Sequence, residues 1–127
     1  MDNSTLESIG LTKGEIKVYL NLLRIGNTTS GRLINESGVS RSKVYDVLER
    51  LKQKGLVTEV IKEKTRHFEA TNPRKIIEYL NRQKDELETK IKRTQILLPD
   101  LINLQSAQLD KQEAKVYVGI EGWKTLY

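Results

Sequence analysis

The chain has 127 residues, 37% hydrophobic and 31% charged, with a net charge of +5, one histidine and no cysteine. Disulfides and thiolate chemistry are thereby excluded, no apolar run approaches the ~18 residues of a membrane span, and "MDNSTLESIG" lacks the basic and apolar regions of a signal peptide. The expectation is a soluble, cytoplasmic chain of one ordinary domain plus an extension, whose basic excess suits a polyanionic partner without requiring one.

Residues 11–25, "LTKGEIKVYLNLLRI", open with a capping box, Thr12 and Glu15, flanked by Leu11 and Ile16 as a hydrophobic staple. Ile16, Tyr19, Leu20 and Leu23 then share one helical face. "GNTT" breaks this helix, Thr28 or Thr29 can cap a short second one carrying Leu33 and Ile34, and Gly38 ends it in a left-handed position.

Ser40 caps the third helix. Its inward stripe is Val44, Val47, Leu48 and Leu51, and Gly55 closes it. Ser42, Asp46, Glu49 and Gln53 then point outward, with Arg41 and Tyr45 along one edge and Lys43 and Arg50 along the other. The period next changes from 3.6 towards 2: "LVTEVI" and "RHFEA" read as two strands joined by "KEKT". Three helices followed by a β-hairpin is the winged helix-turn-helix plan.

"TNPRK" starts the last major element, with Asn72 as a cap and Pro73 at the first helical position. To about Leu109 the chain is almost all helix formers. Ile77, Lys84, Ile91, Leu98 and Gln105 repeat every seven residues, as do Leu80, Leu87, Thr94, Leu101 and Gln108, like a and d positions of a coiled coil. Such a helix cannot bury its own stripe, so Ile77, Leu80, Leu87, Ile91, Leu98 and Leu101 are the expected homodimer contacts. Lys84 at an a position lowers pairing strength while helping to fix register. Pro99 removes a backbone donor and is expected to kink the helix rather than split it. The heptads leave parallel and antiparallel pairing equally open.

The fold class is therefore mainly α (α+β): a winged helix-turn-helix domain over 1–72, a coiled-coil-like dimerisation helix over 73–110, and in 111–127 the start of a truncated C-terminal effector-like domain. In that tail, Lys115 to Val118 reads as a strand, Gly119 and Gly122 shape a turn, and Trp123 is a packing residue.

For catalysis the sequence is poor: it has no metal-ligand spacing and no glycine-rich phosphate loop, so neither an enzyme nor a bound cofactor is expected. His67, in the second wing strand, is first a half-exposed strand residue and second a phosphate contact. The front of the third helix says more. A recognition helix enters the major groove N-terminus first, which would bring Ser40 to Asp46 to base edges and phosphates. Arginine grips guanine O6 and N7 with two bonds, whereas hydroxyls and lysine position the protein on phosphate. Residues 40–66 hold eight Lys or Arg against four Asp or Glu, a net +4 of the chain's +5. Lys62, Lys64 and Arg66 cluster at the hairpin tip. Tyr45 has two readings, stacking near the DNA backbone or packing under the first helix as core.

"LTKGEIKVYLNLL", "SGVSRSKVYDVLERLKQKGLV" and "NPRKIIEYL" resemble the N-terminal part of the TrmB-like family of archaeal transcriptional regulators, relatives of the MarR and ArsR winged helices. The resemblance covers residues 9 to about 105. It implies a dimeric, sequence-specific regulator of double-stranded DNA, with Ser40, Arg41, Ser42, Lys43 and Tyr45 facing the duplex and Lys64 and Arg66 in the wing. Thr29, Ser30, Asp46 and Lys62 complete the expected DNA-binding set. "VYVGIEGWKTLY" is similar to the start of that family's effector domain, so a small-molecule effector is expected only with a C-terminal domain beyond this chain. The competing expectation is a winged-helix adaptor that pairs with protein and leaves DNA alone.

Overall fold

The computed structural model describes residues 2–115. Its elements in chain order are α1 (Ser4–Ser8), α2 (Lys13–Ile25), β1 (Thr28–Thr29), α3 (Ser30–Ser37), α4 (Arg41–Gln53), β2 (Val57–Lys62), β3 (Thr65–Ala70) and α5 (Lys75–Lys115). Short α1, before the capping box, was not expected from the sequence.

The capping box forms: Glu15 N–H donates to Thr12 Oγ1 and Thr12 N–H to Glu15 Oε1, both at 3.2 Å. Leu11 and Ile16 are buried beside it, so the staple holds too. The buried face of α2 is turned from the expected one: Val18, Tyr19 and Leu22 join Ile16 in the core, Leu20 is half-buried, and Leu23 is 40% exposed. The physical reason is position. Helix α2 packs against α3, α4 and β3, so its buried arc is wider than a one-sided stripe and centres elsewhere.

Thr28 and Thr29 form a two-residue strand that pairs antiparallel with β3, Thr28 opposite Phe68 and Thr29 opposite His67. The sheet order is β1-β3-β2, which places β3 in the middle and Phe68 fully in the core. Helix α3 ends on Gly38 at φ +73°, as expected. The inward stripe of α4 is as read from its spacing: Val44, Val47, Leu48 and Leu51 are all buried. Gly55, at φ +79°, closes this helix, and Leu56 N–H reaches back to Leu51 O at 2.9 Å.

The hairpin is tighter than the four-residue "KEKT" connection. Lys62 pairs with Thr65, leaving Glu63 and Lys64 as a two-residue turn at φ +50° and +65°. Positive φ at both central positions is the type I′ turn, whose twist matches that of the flanking strands.

Helix α5 begins after a turn in which Asn72 Oδ1 accepts from Arg74 N–H at 3.0 Å, and it continues through Pro99 to Lys115. It is thus longer than the helix ending near Leu109, and Lys115 is helical where a strand was expected. At 41 residues it measures about 60 Å. Val116 to Val118, Gly119, Gly122 and Trp123 lie outside the described residues.

Two units divide the chain, one ending at Gln83 and one from Lys84 onwards. The first extends past the boundary at residue 72 expected from the sequence, because the opening turns of α5 pack on the winged domain. Ile76 lies against its core, and Arg82 Nη2 donates to Lys54 O at 2.9 Å. Lys54 Nζ sits 5.9 Å from the centre of the Tyr79 ring.

Candidate nucleic-acid interface

With its aliphatic stripe buried, α4 presents Arg41, Ser42, Lys43, Tyr45 and Asp46 to solvent. Ser40 holds the N-cap position in extended conformation, φ −64° and ψ 155°, and its carbonyl accepts from Val44 N–H at 2.9 Å. Its hydroxyl does not cap the helix, contrary to expectation, and the residue is exposed. Thr29 likewise holds the N-cap position of α3 without a side-chain bond.

Tyr45 is not a core residue; it is 39% exposed and bridges two elements. Its hydroxyl lies 3.0 Å from Ser30 Oγ, at the start of α3, and the Arg66 guanidinium lies 5.6 Å from its ring centre. Arg66 is in turn gripped by Glu59 through two hydrogen bonds, Nε to Oε2 at 2.7 Å and Nη2 to Oε1 at 2.9 Å. Lys52, on α4, reaches the same carboxylate at 2.8 Å. The bonds from Arg66 and then Lys52 hold the Glu59 carboxyl down at about 2, and Glu59 raises the pKa of both cations. His67 Nδ1 hydrogen-bonds Asn27 Oδ1 at 3.0 Å, which fits its reading as a half-buried strand residue.

A second carboxylate lies deeper. Glu15 is 1% exposed and receives Lys54 Nζ on Oε2, with Arg50 Nε 3.7 Å from Oε1. Burial pushes this carboxyl up, but the Lys54 hydrogen bond and the Thr12 N–H outweigh it, and the net direction is downward.

These contacts sort the basic residues of 40–66. Arg50, Lys52, Lys54 and Arg66 face carboxylates of the fold itself. Arg41, Lys43, Lys62 and Lys64 form no ion pair among the described residues, and all four are exposed. Arg66, expected as a wing cation, is therefore turned back onto β2 and α4. The residue missed from the sequence is Glu59. Hairpin parity could have shown it, since Glu59 pairs with Phe68 and so shares a face with Arg66 two residues away, but only once the two-residue turn fixes the register.

Of the expected pairing residues on α5, Ile77, Leu87, Ile91, Leu98 and Leu101 are exposed and Leu80 is half-buried. Leu87, Ile91 and Leu98 line a shallow groove of about 320 Å³ with Thr94. Ile96, Leu97, Ile102 and Leu104 are exposed outside the two heptad positions, so the apolar surface broadens in the C-terminal half. Among the described residues no helix is long and apolar enough to cross a membrane, and no His, Cys, Asp or Glu cluster could hold a metal ion.

A three-helix core, a two-stranded wing extended by a short third strand, and a long C-terminal helix define a winged helix-turn-helix protein. The model of the family described as "Sugar-specific transcriptional regulator TrmB" matches residues 6–74, more than half of the chain, and the chain belongs to that family. It is 36% identical over 73 residues to the HTH-type sugar sensing transcriptional regulator TrmBL1 of Pyrococcus furiosus, a match covering 58% of this chain and 21% of that protein. The chain thus spans about a fifth of the length of this relative. Among solved structures, TrmBL2, an archaeal chromatin protein, superposes with a TM-score of 0.68 at 22% identity, over 80% of this chain and 40% of that one. A MarR-family regulator from Silicibacter pomeroyi gives 0.52 at 19% identity, over 91% and 80%. Both likenesses are of fold.

Proposed function

We propose that the chain is a sequence-specific DNA-binding transcriptional regulator that acts in the cytoplasm as a homodimer on an inverted-repeat operator. One observation carries this reading: Arg41 and Lys43 on α4, and Lys62 and Lys64 on the wing, stand exposed and form no ion pair among the described residues, while the aliphatic stripe of α4 is fully buried. In this reading Ser40 to Asp46 enter the major groove. Arg41 grips guanine, Ser42 and Asp46 face base edges, and Lys43 holds phosphate. Lys62 and Lys64 reach the flanking backbone, while Thr29, Ser30 and Tyr45 approach it at the start of α3. Arg66 acts by bracing Tyr45.

Two chains would pair through Leu87, Ile91, Leu98 and Leu101 of α5, with Ile77 and Leu80 at the base, and set half-sites about 10 bp apart or a multiple of that. If each subunit neutralises about four phosphates, log K against log salt falls with a slope of about −7. A small-molecule effector enters the proposal only with a C-terminal domain beyond the residues matched to the family.

The test is selection of genomic fragments by the purified chain at moderate salt, read by sequencing. An enriched inverted repeat is the expected result, and Arg41→Ala with Lys64→Ala abolishes the enrichment. Fragments retained without a shared motif, or binding indifferent to both substitutions, would leave the adaptor reading instead.

A further inference from the structure

The edge of α4 away from the wing borders a groove against α2. The groove, of about 550 Å³, is lined by Thr12, Lys17, Ser40, Lys43, Asp46 and Arg50 among others. Its two helices come close at Gly14, where an added Cβ would stand 3.4 Å from Val47 Cγ2. That approach is what lets Lys17 of α2 share a groove with Lys43 and Arg50 of α4.

The charge here is largely uncompensated. Lys17 and Lys43 are exposed and form no ion pair among the described residues. Arg50 is half exposed, and its 3.7 Å approach to Glu15 is too long for a hydrogen bond, while Glu15 is already held by Lys54. Asp46 is the one carboxylate among the groove-lining residues. On the wing side Arg66 is neutralised by Glu59, which leaves Lys62 and Lys64 as the wing cations without an ion pair among the described residues.

A helix seated in a major groove about 12 Å wide has a sugar-phosphate strand on each side. The wing, with Lys62 and Lys64, meets one. We propose that the α2–α4 groove meets the other, with Lys17 and Arg50 joining Lys43 as phosphate contacts that bind DNA irrespective of sequence. This inference rests on the proposed DNA-binding function and assigns to it helix α2, which carries none of the DNA-binding residues expected from the sequence.

The experiment compares the 127-residue chain with Lys17→Gln, Lys17→Arg and Arg41→Ala. Binding is measured by fluorescence anisotropy on the selected operator and on a random duplex of equal length, between about 50 and 200 mM KCl, and melting curves verify folding. Lys17→Gln should weaken both duplexes by roughly an order of magnitude and make the salt slope shallower by about 2 for a dimer, one phosphate per subunit, with Lys17→Arg retaining both. Unchanged affinity and slope in Lys17→Gln, while Arg41→Ala still loses operator binding, would overturn the groove and leave the recognition helix standing. Wild-type protein that binds neither duplex would remove both.

Discussion

Tyr19 carries a hydroxyl into the core where no partner receives it among the described residues. It is 1% exposed, and burial pushes its phenol pKa up. A buried donor without a partner costs about 1–3 kcal/mol, and phenylalanine has nearly the same shape. Tyr19→Phe should therefore raise stability by ~1 kcal/mol in urea unfolding; a loss instead would show that the hydroxyl is satisfied. Glu63 and Lys64 make a similar point at the wing tip. Both are held at positive φ, where Asn-Gly is the low-strain pair for a type I′ turn. Replacing them with Asn-Gly should stabilise the fold by ~1 kcal/mol and weaken DNA binding, because Lys64 is removed. Should affinity hold while stability rises, Lys64 would not be a backbone contact.

At the scale of elements, two carboxylates tie the recognition helix down. Glu59 joins α4 to both wing strands, and Glu15 joins α4 to α2. Both titrate below their ordinary value of 4.5, Glu59 down to about 2. A depressed carboxyl contributes stability that is fully present above the unfolded value and is lost as pH falls through the folded one. Melting temperature should hold above about pH 4.5 and drop between there and about pH 2. Glu59→Gln should lower it at neutral pH and flatten the acid limb; an unchanged acid limb would mean that Glu59 is not the group responsible. Glu15→Ala should cost about 3 kcal/mol by leaving the Lys54 ammonium without its buried partner.

Elements with a long period were legible in the sequence. The α4 stripe and the capping box repeat or pair at fixed spacing and are found where they were expected, and the stretch that carries the heptads is one helix. What was illegible has no period of its own. Thr28–Thr29 is a strand only because β3 runs beside it. The turn at Glu63–Lys64 uses residues that seldom adopt positive φ, so nothing in "KEKT" advertised two residues rather than four. The α2 face turned because three neighbours bury it, and neighbours are a tertiary fact. For the same reason the basic count of 40–66 overstated the free charge: which cations face solvent depends on where Glu15 and Glu59 fold.

At the scale of the molecule, the exposed apolar face of α5 is the proposed route to a dimer. Ile91→Asp with Leu98→Asp should convert a dimer into monomers in sedimentation analysis and reduce operator affinity by at least 100-fold, while leaving the winged domain's melting largely intact. A dimer that survives both substitutions would move the pairing surface elsewhere.

The contacts of Ile76, Tyr79 and Arg82 bear on how this protein could be taken apart. Arg82 covers a carbonyl at the end of the recognition helix, so a fragment stopped at Asn72 keeps every strand and loses that cover. A fragment stopped at Gln83 keeps it. Anyone joining this winged domain to a foreign helix should make the junction after Gln83, and the junction made at Asn72 should melt lower. The first turns of the long helix belong to that domain, whatever the rest of it does.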